Sequence, residues 1–553
     1  MSRRPLTRRL LLGATVSWAA SPGLALSSGL DRTAALQWIR KARARTETLR
    51  ANAVKLRNQH LVRLSEIRSA STGSPDLHRA FMVAAGSDTA AIRQMDQQAT
   101  AAKAPLRFAN GLHTIASATE LSAPFVVFDP GAVLQGNAAL AIHGRIVAER
   151  ERIFTFPETS SGGLVRIRSA QVIFPEWFGA TGQGDPREGA DDSGAIQLAC
   201  DSLSDGAGGV IQGAQGRTYP TRFVICVVGD KVILDFSKSE ILSDQGRAGR
   251  PYAGMWVQIG NSRESNLALI RQRRLAGDFK QGVENPQFAD VQAYLYPEAD
   301  SFGATSRDCA VLLQSGRFFD DIRSIGCYGV HFSNTVRGYA RIDRARNASQ
   351  CFGFGSDVVP RTPYAIDCVI DVGTIERPNI NGSYYSVGFF GYAVRCTSFG
   401  GRVLQGVLDG ARDGNLAATN LARDCLLDGA SGECGRGANG QGYLFGRYSA
   451  RCYVTRSSVS NAKQGFATDI ENVHSMADSC AYLDCSAVDV DILSYAASGY
   501  TIFDNVRGQK VKTDLMLTGQ LARNNIFHSI DHARIKFRWG YEALFFSENV
   551  MLD

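Results

Sequence analysis

The sequence has few prolines, no long hydrophobic run and no large excess of charge of either sign. Its 553 residues include 16 prolines and 56 glycines, a balance that favours tight turns between short strands over proline-rich linkers. A membrane-spanning helix needs about 20 consecutive apolar residues. No segment reaches that length, so we expect no stable membrane anchor. The net charge of +7 arises mainly in residues 1–70, which gives no support to a nucleic-acid partner.

The 12 cysteines form no CxxC pair, which excludes the common zinc-binding and thioredoxin-like patterns. Four of them, at intervals of 29, 27 and 28 residues, are Cys396, Cys425, Cys452 and Cys480. One coil of a parallel β-helix has about this length and advances the structure by one strand spacing of about 4.8 Å. We therefore predict that these cysteines stack as an inward-facing ladder of free thiols, with a disulfide network as the alternative.

Residues 1–28 have the features of an export signal. The segment Thr7-Arg8-Arg9 is basic, a modest apolar stretch runs through Trp18, and Gly23-Leu24-Ala25 supplies a small-x-small cleavage site. Because the paired arginines resemble a twin-arginine signal, we expect a periplasmic or secreted protein.

Residues 29–105 favour helix, since the stretch from Asp31 to Arg68 is rich in Ala, Leu, Arg and Glu and has no Gly or Pro. This stretch contains ten basic and three acidic residues. Such a charge would repel across a parallel coiled-coil interface. We expect a helix that frays or lies loosely against the rest of the chain, and a monomeric protein, with a trimer as the alternative.

Residues 106–173 contain short apolar runs separated by turn residues, a pattern that predicts a small β-module. Next, residues 174–184 predict a glycine-rich turn, and Asp191 with Asp192 predict the N-cap of a short helix. The apolar face of this helix is predicted to carry Ile196, Cys200 and Leu203. Residues 206–211 then begin a strand that ends near residue 220.

The order of these features resembles the N-terminal cap of the pectate-lyase-like superfamily, as found in glycoside hydrolase family 28-related proteins and phage tailspikes. The residues that carry the resemblance are Pro175-Glu176-Trp177-Phe178-Gly179-Ala180, Asp191-Asp192, Ala195-Ile196-Gln197, Gly208-Gly209 and Tyr219. The resemblance implies an all-β fold in which residues 174–553 form a right-handed parallel β-helix, capped by residues 174–220. There is room for about a dozen coils, which would give a rod about 55 to 60 Å long. A cap motif identifies a fold and not a chemistry.

An exported rod of this kind is expected to bind or act on polysaccharide. Hydrolysis needs two carboxylates, whereas elimination from a uronate needs a base and groups that neutralise the sugar carboxylate. In the best candidate cluster, Asp469 and Glu471 alternate along a predicted strand and so share a face. The predicted catalytic residues are Arg447, Lys463, Asp469, Glu471 and His474.

Substrate-binding residues are predicted in the same coil, in a turn-rich insertion and at a pair of groove aromatics. They are Arg451, Asp409, Arg412, Tyr384 and Tyr385. The sequence contains no Asn-Thr-Asp or Gly-His-Gly motif of polygalacturonases, and no metal-ligand or cofactor motif, although calcium stays a candidate ion. We predict a lyase or hydrolase acting on an acidic polysaccharide. The alternatives are a non-catalytic glycan-binding or tailspike-like surface protein, a polysaccharide epimerase, or ordinary solvent-facing residues at these positions.

Overall fold

The computed structural model of the chain describes residues between 31 and 552, with gaps. The described ranges are 31–159, 162–244, 255–260, 306–319, 328–355, 365–377, 385–391, 393–404, 415–420, 422–434, 440–446, 449–468, 479–497, 500–518, 525–529, 535–538 and 549–552. The export signal predicted at 1–28 lies outside them. No helix within these ranges is both long enough and apolar enough to span a membrane.

The main body is a rod built from three ladders of parallel strands, here called sheets I, II and III. Sheet I contains segments of the strands Val172–Ile173, Gly209–Gln212, Val232–Ser243, Ala310–Phe318, Tyr339–Arg346, Val369–Glu376, Thr397–Leu404, Leu426–Asp428, Tyr453–Thr455, Cys480–Leu483, Thr501–Asp504, Ile526–His528 and Val550–Leu552. Its twelve successive parallel pairings span about 58 Å at about 4.8 Å each. This agrees with the predicted rod length.

Sheets II and III complete each coil. Sheet II contains Thr218–Thr221, the second halves of the five sheet I strands from Val232–Ser243 to Thr397–Leu404, Ser431–Glu433, the first halves of Ser458–Thr468 and Ser486–Ala496, and Arg507–Gln509. Sheet III contains Ile225–Val227, Met255–Ile259, Tyr328–Phe332, Gln350–Phe354, Tyr385–Gly391, Asn415–Asn420, Gln441–Phe445, the second halves of Ser458–Thr468 and Ser486–Ala496, Thr513–Thr518 and Ile535–Arg538. A narrow ladder at the turn from sheet III to sheet I contains Gly229–Asp230, Ser306–Arg307, Thr335–Val336, Ala365–Ile366 and Ala393–Val394. The predicted right-handed parallel β-helix is confirmed.

Smaller coils of about 20 residues precede the rod. Their three parallel stacks are Phe81–Val83, Leu106–Phe108, Phe125–Phe128 and Arg145–Val147; Gly111–Ile115, Ala132–Gly136 and Phe154–Thr155; and Thr119–Leu121, Leu140–Ile142 and Val165–Ile167. An antiparallel hairpin joins Glu158–Thr159 to Gly162–Gly163. The apolar residues inside these stacks belong to the same hydrophobic core as those of the rod. The small β-module predicted at 106–173 therefore shares its core with the main body.

In the described ranges, three α-helices lie outside the coils: α1 (Arg32–Ala70), α2 (Thr89–Ala101) and α3 (Ser193–Ser204). Short 3-10 helices cover Leu77–Arg79, Pro175–Phe178 and Pro186–Glu188. Helix α2 buries Ile92 and Ala99 against the small coils, and the strand Phe81–Val83 precedes it within the region predicted to be helical. Helix α3 buries Ile196, Cys200 and Leu203, as its sequence pattern predicts.

The cap motif is held together by hydrogen bonds between its own residues. Glu176 accepts a hydrogen bond from the Tyr219 hydroxyl at 2.5 Å, and the Trp177 indole donates to the Glu149 carbonyl at 2.8 Å. Asp192 occupies the N-cap position of α3 but makes no side-chain cap. Its carboxylate instead accepts from the backbone N–H groups of Thr181 and Gly182, so it fixes the glycine-rich turn rather than the helix.

Sheet I has an apolar column on its outer side. Strand register stacks one outward residue from each coil: Val172, Val210, Ile233, Ala310, Tyr339, Val369, Thr397, Leu426, Tyr453, Ala481, Ile502, Ile526 and Val550. Such a strip would be an exposed hydrophobic patch if nothing covered it.

Helix α1 covers this column. Its 39 residues span about 58 Å at about 1.5 Å per residue, which equals the length of sheet I. The buried residues recur every three or four positions, at Ala35, Ile39, Ala42, Thr46, Leu49, Ala53, Leu56, His60, Leu64 and Ile67. The first half of α1 packs on the coils that end the rod and the second half on those that begin it, so the helix runs antiparallel to the progression of coils. This differs from the loose association expected from its charge.

The basic residues of α1 bind acidic residues of sheet I. Two positions beyond the apolar column, the outward residue of several coils is an aspartate. The pairs are Arg43 with Asp504, Arg50 with Asp428, Arg57 with Asp371 and Arg68 with Asp235. Charge that would oppose a helical coiled coil therefore stabilises docking onto the rod.

The predicted cysteine ladder is present on the inner side of sheet I. Each member lies one residue before the apolar column, and each thiol donates to a backbone carbonyl of the preceding coil at 3.2 to 3.6 Å. The consecutive members are Cys368, Cys396, Cys425, Cys452 and Cys480, and the same position is Cys309 two coils earlier. Every cysteine in the described ranges is buried and free of disulfides.

We predict that native protein reacts slowly with a thiol reagent, whereas denatured, unreduced protein exposes most of the 12 thiols. Burial raises the pKa of Cys309, Cys351 and Cys485 to about 12, so little reactive thiolate forms near neutral pH. Titration with a chromogenic disulfide, with and without denaturant, measures how many thiols react in the native and in the denatured protein. Near-zero free thiol in the denatured, unreduced sample would show that the ladder is oxidised.

Replacing Arg43 by Ala is predicted to lower the free energy of unfolding by about 1 to 3 kcal/mol at pH 7, because buried Asp504 and half-exposed Asp484 lose their shared cation. Hydrogen bonds from Arg43 hold the pKa of Asp484 below its ordinary value. A carboxyl group of this kind stabilises the fold above its ordinary pKa, and the contribution disappears as the pH falls through the lowered pKa. The defect of Arg43→Ala should therefore shrink towards pH 3.

Urea unfolding at pH 7 and pH 3 measures this difference. Arg40→Ala is the matched control, since Arg40 is an exposed arginine of the same helix without an ion pair in the described part of the chain. We expect it to change stability by less than about 0.5 kcal/mol. Equal effects of the two substitutions at pH 7 would contradict the assigned role of Arg43.

Candidate functional site

One of the three faces of the rod is covered, since helix α1 packs along sheet I. On sheet III, strand register aligns an outward column in which Gln258, Phe389 and Ala418 are only 3%, 4% and 2% exposed. The same column contains His331 and Leu444, which are partly exposed. Sheet III is therefore closed in part.

The edge between sheets III and I is occupied by its own ion pairs. Successive coils place a residue in the left-handed conformation at this turn: Lys231, Asp308, Arg337, Asp367, Arg395, Asp424 and Arg451. Their charges alternate, and pairs form between Arg337 and Asp308 at 2.8 Å, Arg395 and Asp367 at 2.6 Å, and Arg451 and Asp424 at 2.7 Å. Arg45 of α1 also binds Asp424, at 2.8 Å. The edge is therefore a structural ion ladder.

Sheet II is the open face. Buried residues such as Ile241, Ala345, Ile375 and Val403 alternate with outward ones along its strands. The charged outward residues are Arg317, Arg344, Arg346, Arg402 and Arg507, with Glu240, Glu376 and Glu433. The outward hydroxyl residues are Thr218, Ser315, Thr374, Ser431, Ser458, Ser460 and Ser486. The face is flat, polar and moderately basic.

Two ion pairs organise this face. Arg344 donates through two nitrogens to the carboxylate of Glu376 at 2.9 and 2.7 Å, and the Arg344 side chain is still 55% exposed. The Glu376 carboxylate raises the pKa of Arg344, which keeps the guanidinium charged. Arg317 pairs with Glu240 at 3.1 Å, and Glu240 also accepts hydrogen bonds from the hydroxyl of Ser315 at 3.2 Å. These pairs leave further donors and acceptors for a ligand.

Arg402 has no such partner. Its side chain is exposed, and it forms no ion pair with any residue in the described part of the chain. A guanidinium carries five N–H donors in a planar fork that suits a carboxylate. Arg402 is thus a cation of sheet II available to an anionic group from outside.

Glu240 and Glu376, the two carboxylates of this face that are held in the ion pairs above, do not form a hydrolytic pair with each other. From Glu240, three strand pairings lead through Ser315 and Arg344 to the coil of Glu376, a separation of about 14 Å along the rod. Glycoside hydrolases hold their two carboxyl groups about 5 to 9.5 Å apart. The geometry of Glu240 and Glu376 suits binding and not hydrolysis.

Most of the sequence-predicted site residues lie outside the described ranges. These are Arg447, Asp469, Glu471, His474, Tyr384, Asp409 and Arg412. Asp469 directly follows the sheet III strand Ser458–Thr468, and Tyr385 begins the sheet III strand Tyr385–Gly391. Lys463 lies half-buried in the strand Ser458–Thr468, between its sheet II and sheet III portions. Arg451 is bound to Asp424 in the ion ladder of the turn.

Sequence reasoning missed the residues of sheet II, although the sequence contains a signal for them. The outward residue of sheet II lies six positions after the ladder position of the same coil. This offset relates Cys309 to Ser315, Gly338 to Arg344, Cys368 to Thr374, Cys396 to Arg402, Cys425 to Ser431, Cys452 to Ser458 and Cys480 to Ser486. Once the cysteines are aligned, the same count identifies the face that the coils present to solvent.

No metal site is apparent in the described part of the chain. No group of three or more His, Cys, Asp or Glu side chains is arranged there to hold an ion.

No model of a known protein family matches the sequence, and no curated protein matches it. Solved structures that resemble it weakly include the following three. The surface protein and adhesin PfbA of Streptococcus pneumoniae is 10% identical, with 66% of this chain and 100% of that chain covered and a TM-score of 0.36. A tailspike of an Acinetobacter phage is 10% identical, with 68% and 64% covered and a TM-score of 0.36.

The third, DFA-IIIase of Arthrobacter chlorophenolicus without its lid, is 11% identical, with 69% of this chain and 98% of that chain covered and a TM-score of 0.30. Likenesses of this strength carry no functional argument. The chain's own strand pairing establishes that it has a right-handed parallel β-helix fold.

Proposed function

We propose that the protein binds an anionic polysaccharide along the outer face of sheet II. The observation that carries the proposal is an open lattice of guanidinium and hydroxyl groups, repeated from coil to coil, on a rod whose sheet I is covered by α1 and whose sheet III is closed in part. The lattice runs parallel to the rod axis, so it suits a long regular polymer better than a small molecule.

The chemistry of the lattice supports a glycan ligand. The ion pairs of Arg344 with Glu376 and of Arg317 with Glu240 present both donors and acceptors to sugar hydroxyls. Arg402, which forms no ion pair with the residues that the structure describes, supplies a charge for an acidic substituent. Because the outward residues of sheet II comprise five arginines and three glutamates, their net charge favours an acidic polymer over a neutral one.

We further propose that the protein is exported, to the periplasm or beyond, and acts as a monomer. The basic and apolar segments of residues 1–28 support export. The apolar stripe of α1 supports the monomer, since it is buried against the protein's own sheet I and is not available to a second helix.

Replacing Arg402 by Gln is predicted to weaken binding of an acidic polysaccharide about tenfold, the loss expected when one charge-assisted hydrogen bond is removed. Titration calorimetry with alginate, polygalacturonate and hyaluronan oligosaccharides identifies a bound polymer and measures the loss. The affinity of the unmodified protein should also fall as salt is added.

Arg395→Gln is the matched control for Arg402→Gln. Arg395 is an exposed arginine of the same coil, seven residues before Arg402, but it belongs to the ion ladder between sheets III and I. Its replacement should leave affinity unchanged. If all three polymers fail to bind, or if both substitutions reduce affinity equally, sheet II is not the binding face.

Cleavage of the bound polymer is a second proposal, supported by the cluster of Asp469, Glu471 and His474 that follows the strand Ser458–Thr468. If it is correct, Asp469→Ala and Glu471→Ala each reduce turnover by about 100-fold or more and leave affinity intact. Product mass separates elimination from hydrolysis, because only hydrolysis adds water. Asp230→Ala, at an exposed turn, is the control. Binding without any cleavage product would contradict this proposal and leave the binding proposal standing.

A further inference from the structure

Over five successive coils, the outer face of sheet II has a period of two coils. Strand register stacks one outward residue from each of five successive coils, and hydroxyl and guanidinium groups alternate among them. The stack is Ser315, Arg344, Thr374, Arg402 and Ser431. Two strand spacings, about 9.6 Å, separate the coil of Arg344 from that of Arg402.

From the Arg344 coil to the Ser431 coil, the second outward position adds to this alternation. Two residues after Arg344 comes Arg346, and uncharged Leu404 follows Arg402 at the same offset. The two hydroxyl coils have a carboxylate at this position, with Glu376 after Thr374 and Glu433 after Ser431. By the charges of these outward residues, the four successive coils are basic, acidic, basic and acidic. The Ser315 coil before them has Arg317 at this position and does not continue the pattern.

A polymer that places one sugar on each coil would meet this alternation directly. An acidic sugar over the Arg402 coil would face an exposed guanidinium. An acidic sugar over the Thr374 coil would lie near the carboxylate of Glu376, and like charges in such a position weaken binding. The face thus attracts acid at every second sugar and disfavours it in between.

From this pattern we infer that the ligand is an alternating copolymer, with an acidic group on every second sugar and a neutral, hydroxyl-rich sugar between. The inference rests on the proposed binding of an anionic polysaccharide to sheet II and specifies its class. Arg344 contributes through the three N–H donors that its pair with Glu376 leaves over, and Arg402 contributes its whole guanidinium.

The test compares polymers that differ in the spacing of their acid groups. Oligosaccharides of hyaluronan and of chondroitin, in which uronate and N-acetylhexosamine alternate, are titrated against oligogalacturonate of equal length, in which every sugar is acidic. We expect at least one alternating polymer to bind about tenfold more tightly than oligogalacturonate.

Glu376→Gln tests whether the Glu376 carboxylate disfavours an acidic sugar over the Thr374 coil. Removing this carboxylate should raise the affinity for oligogalacturonate and so reduce the preference for alternating polymers over oligogalacturonate. Arg395→Gln should change neither quantity. Circular dichroism of each variant verifies folding, and an exposed pair such as Arg344 with Glu376 contributes little to stability.

The outcomes separate the two proposals. If oligogalacturonate binds as tightly as the alternating polymers and Arg402→Gln weakens all of them, the binding face is correct and the alternation is wrong. If Glu376→Gln leaves the preference for alternating polymers over oligogalacturonate unchanged, the inference of an alternating ligand is also wrong. If no acidic polymer binds, both proposals fail.

Discussion

The burial of the outer apolar column of sheet I under helix α1 determines which surfaces of this protein are available. A β-helix closes its own interior, but here one residue of each coil also directs an apolar side chain outwards on sheet I. The helix removes this strip from water along nearly the whole rod and adds ion pairs to the aspartates beside it. As a result, sheet I is covered by the helix, whereas the polar sheet II stays open to solvent.

The fold was predictable because its signals are local and repeated. The interval between cysteines reports the coil length, and the motif from Pro175 to Tyr219 contains the residues that hydrogen-bond to one another in the cap. The docking of α1 was not predictable in this way. When only residues 31–68 are considered, the arginines of α1 are expected to repel one another. Their aspartate partners lie far away in the sequence, as with Arg43 and Asp504. Only the coiling of the rod aligns those aspartates in one column.

The residues of the candidate face were likewise only partly predictable from the sequence. Sequence reasoning searched for reactive side chains that are close along the chain, which led to Asp469 and Glu471 and missed Arg344 and Arg402. The two arginines are far apart in sequence and lie two coils apart only through the strand register. The constant offset of six residues from the cysteine ladder would have identified them. That offset becomes meaningful only once the cysteines are known to face inwards, because a shift of one residue exchanges the two sides of a strand.

Helix α1 also limits how this rod can change length in evolution. A β-helix can usually gain or lose a coil, since each coil contacts only its neighbours. Here an added coil would displace part of sheet I by about 4.8 Å, equivalent to about three helical residues, which is not a whole turn of α1. The arginines beyond that point would rotate away from their aspartates. Two coils, about 9.6 Å, nearly match the seven residues that separate Arg50 and Arg57, whose partners Asp428 and Asp371 lie two coils apart. Insertions and deletions should therefore survive mainly as paired coils accompanied by a seven-residue change in the helix.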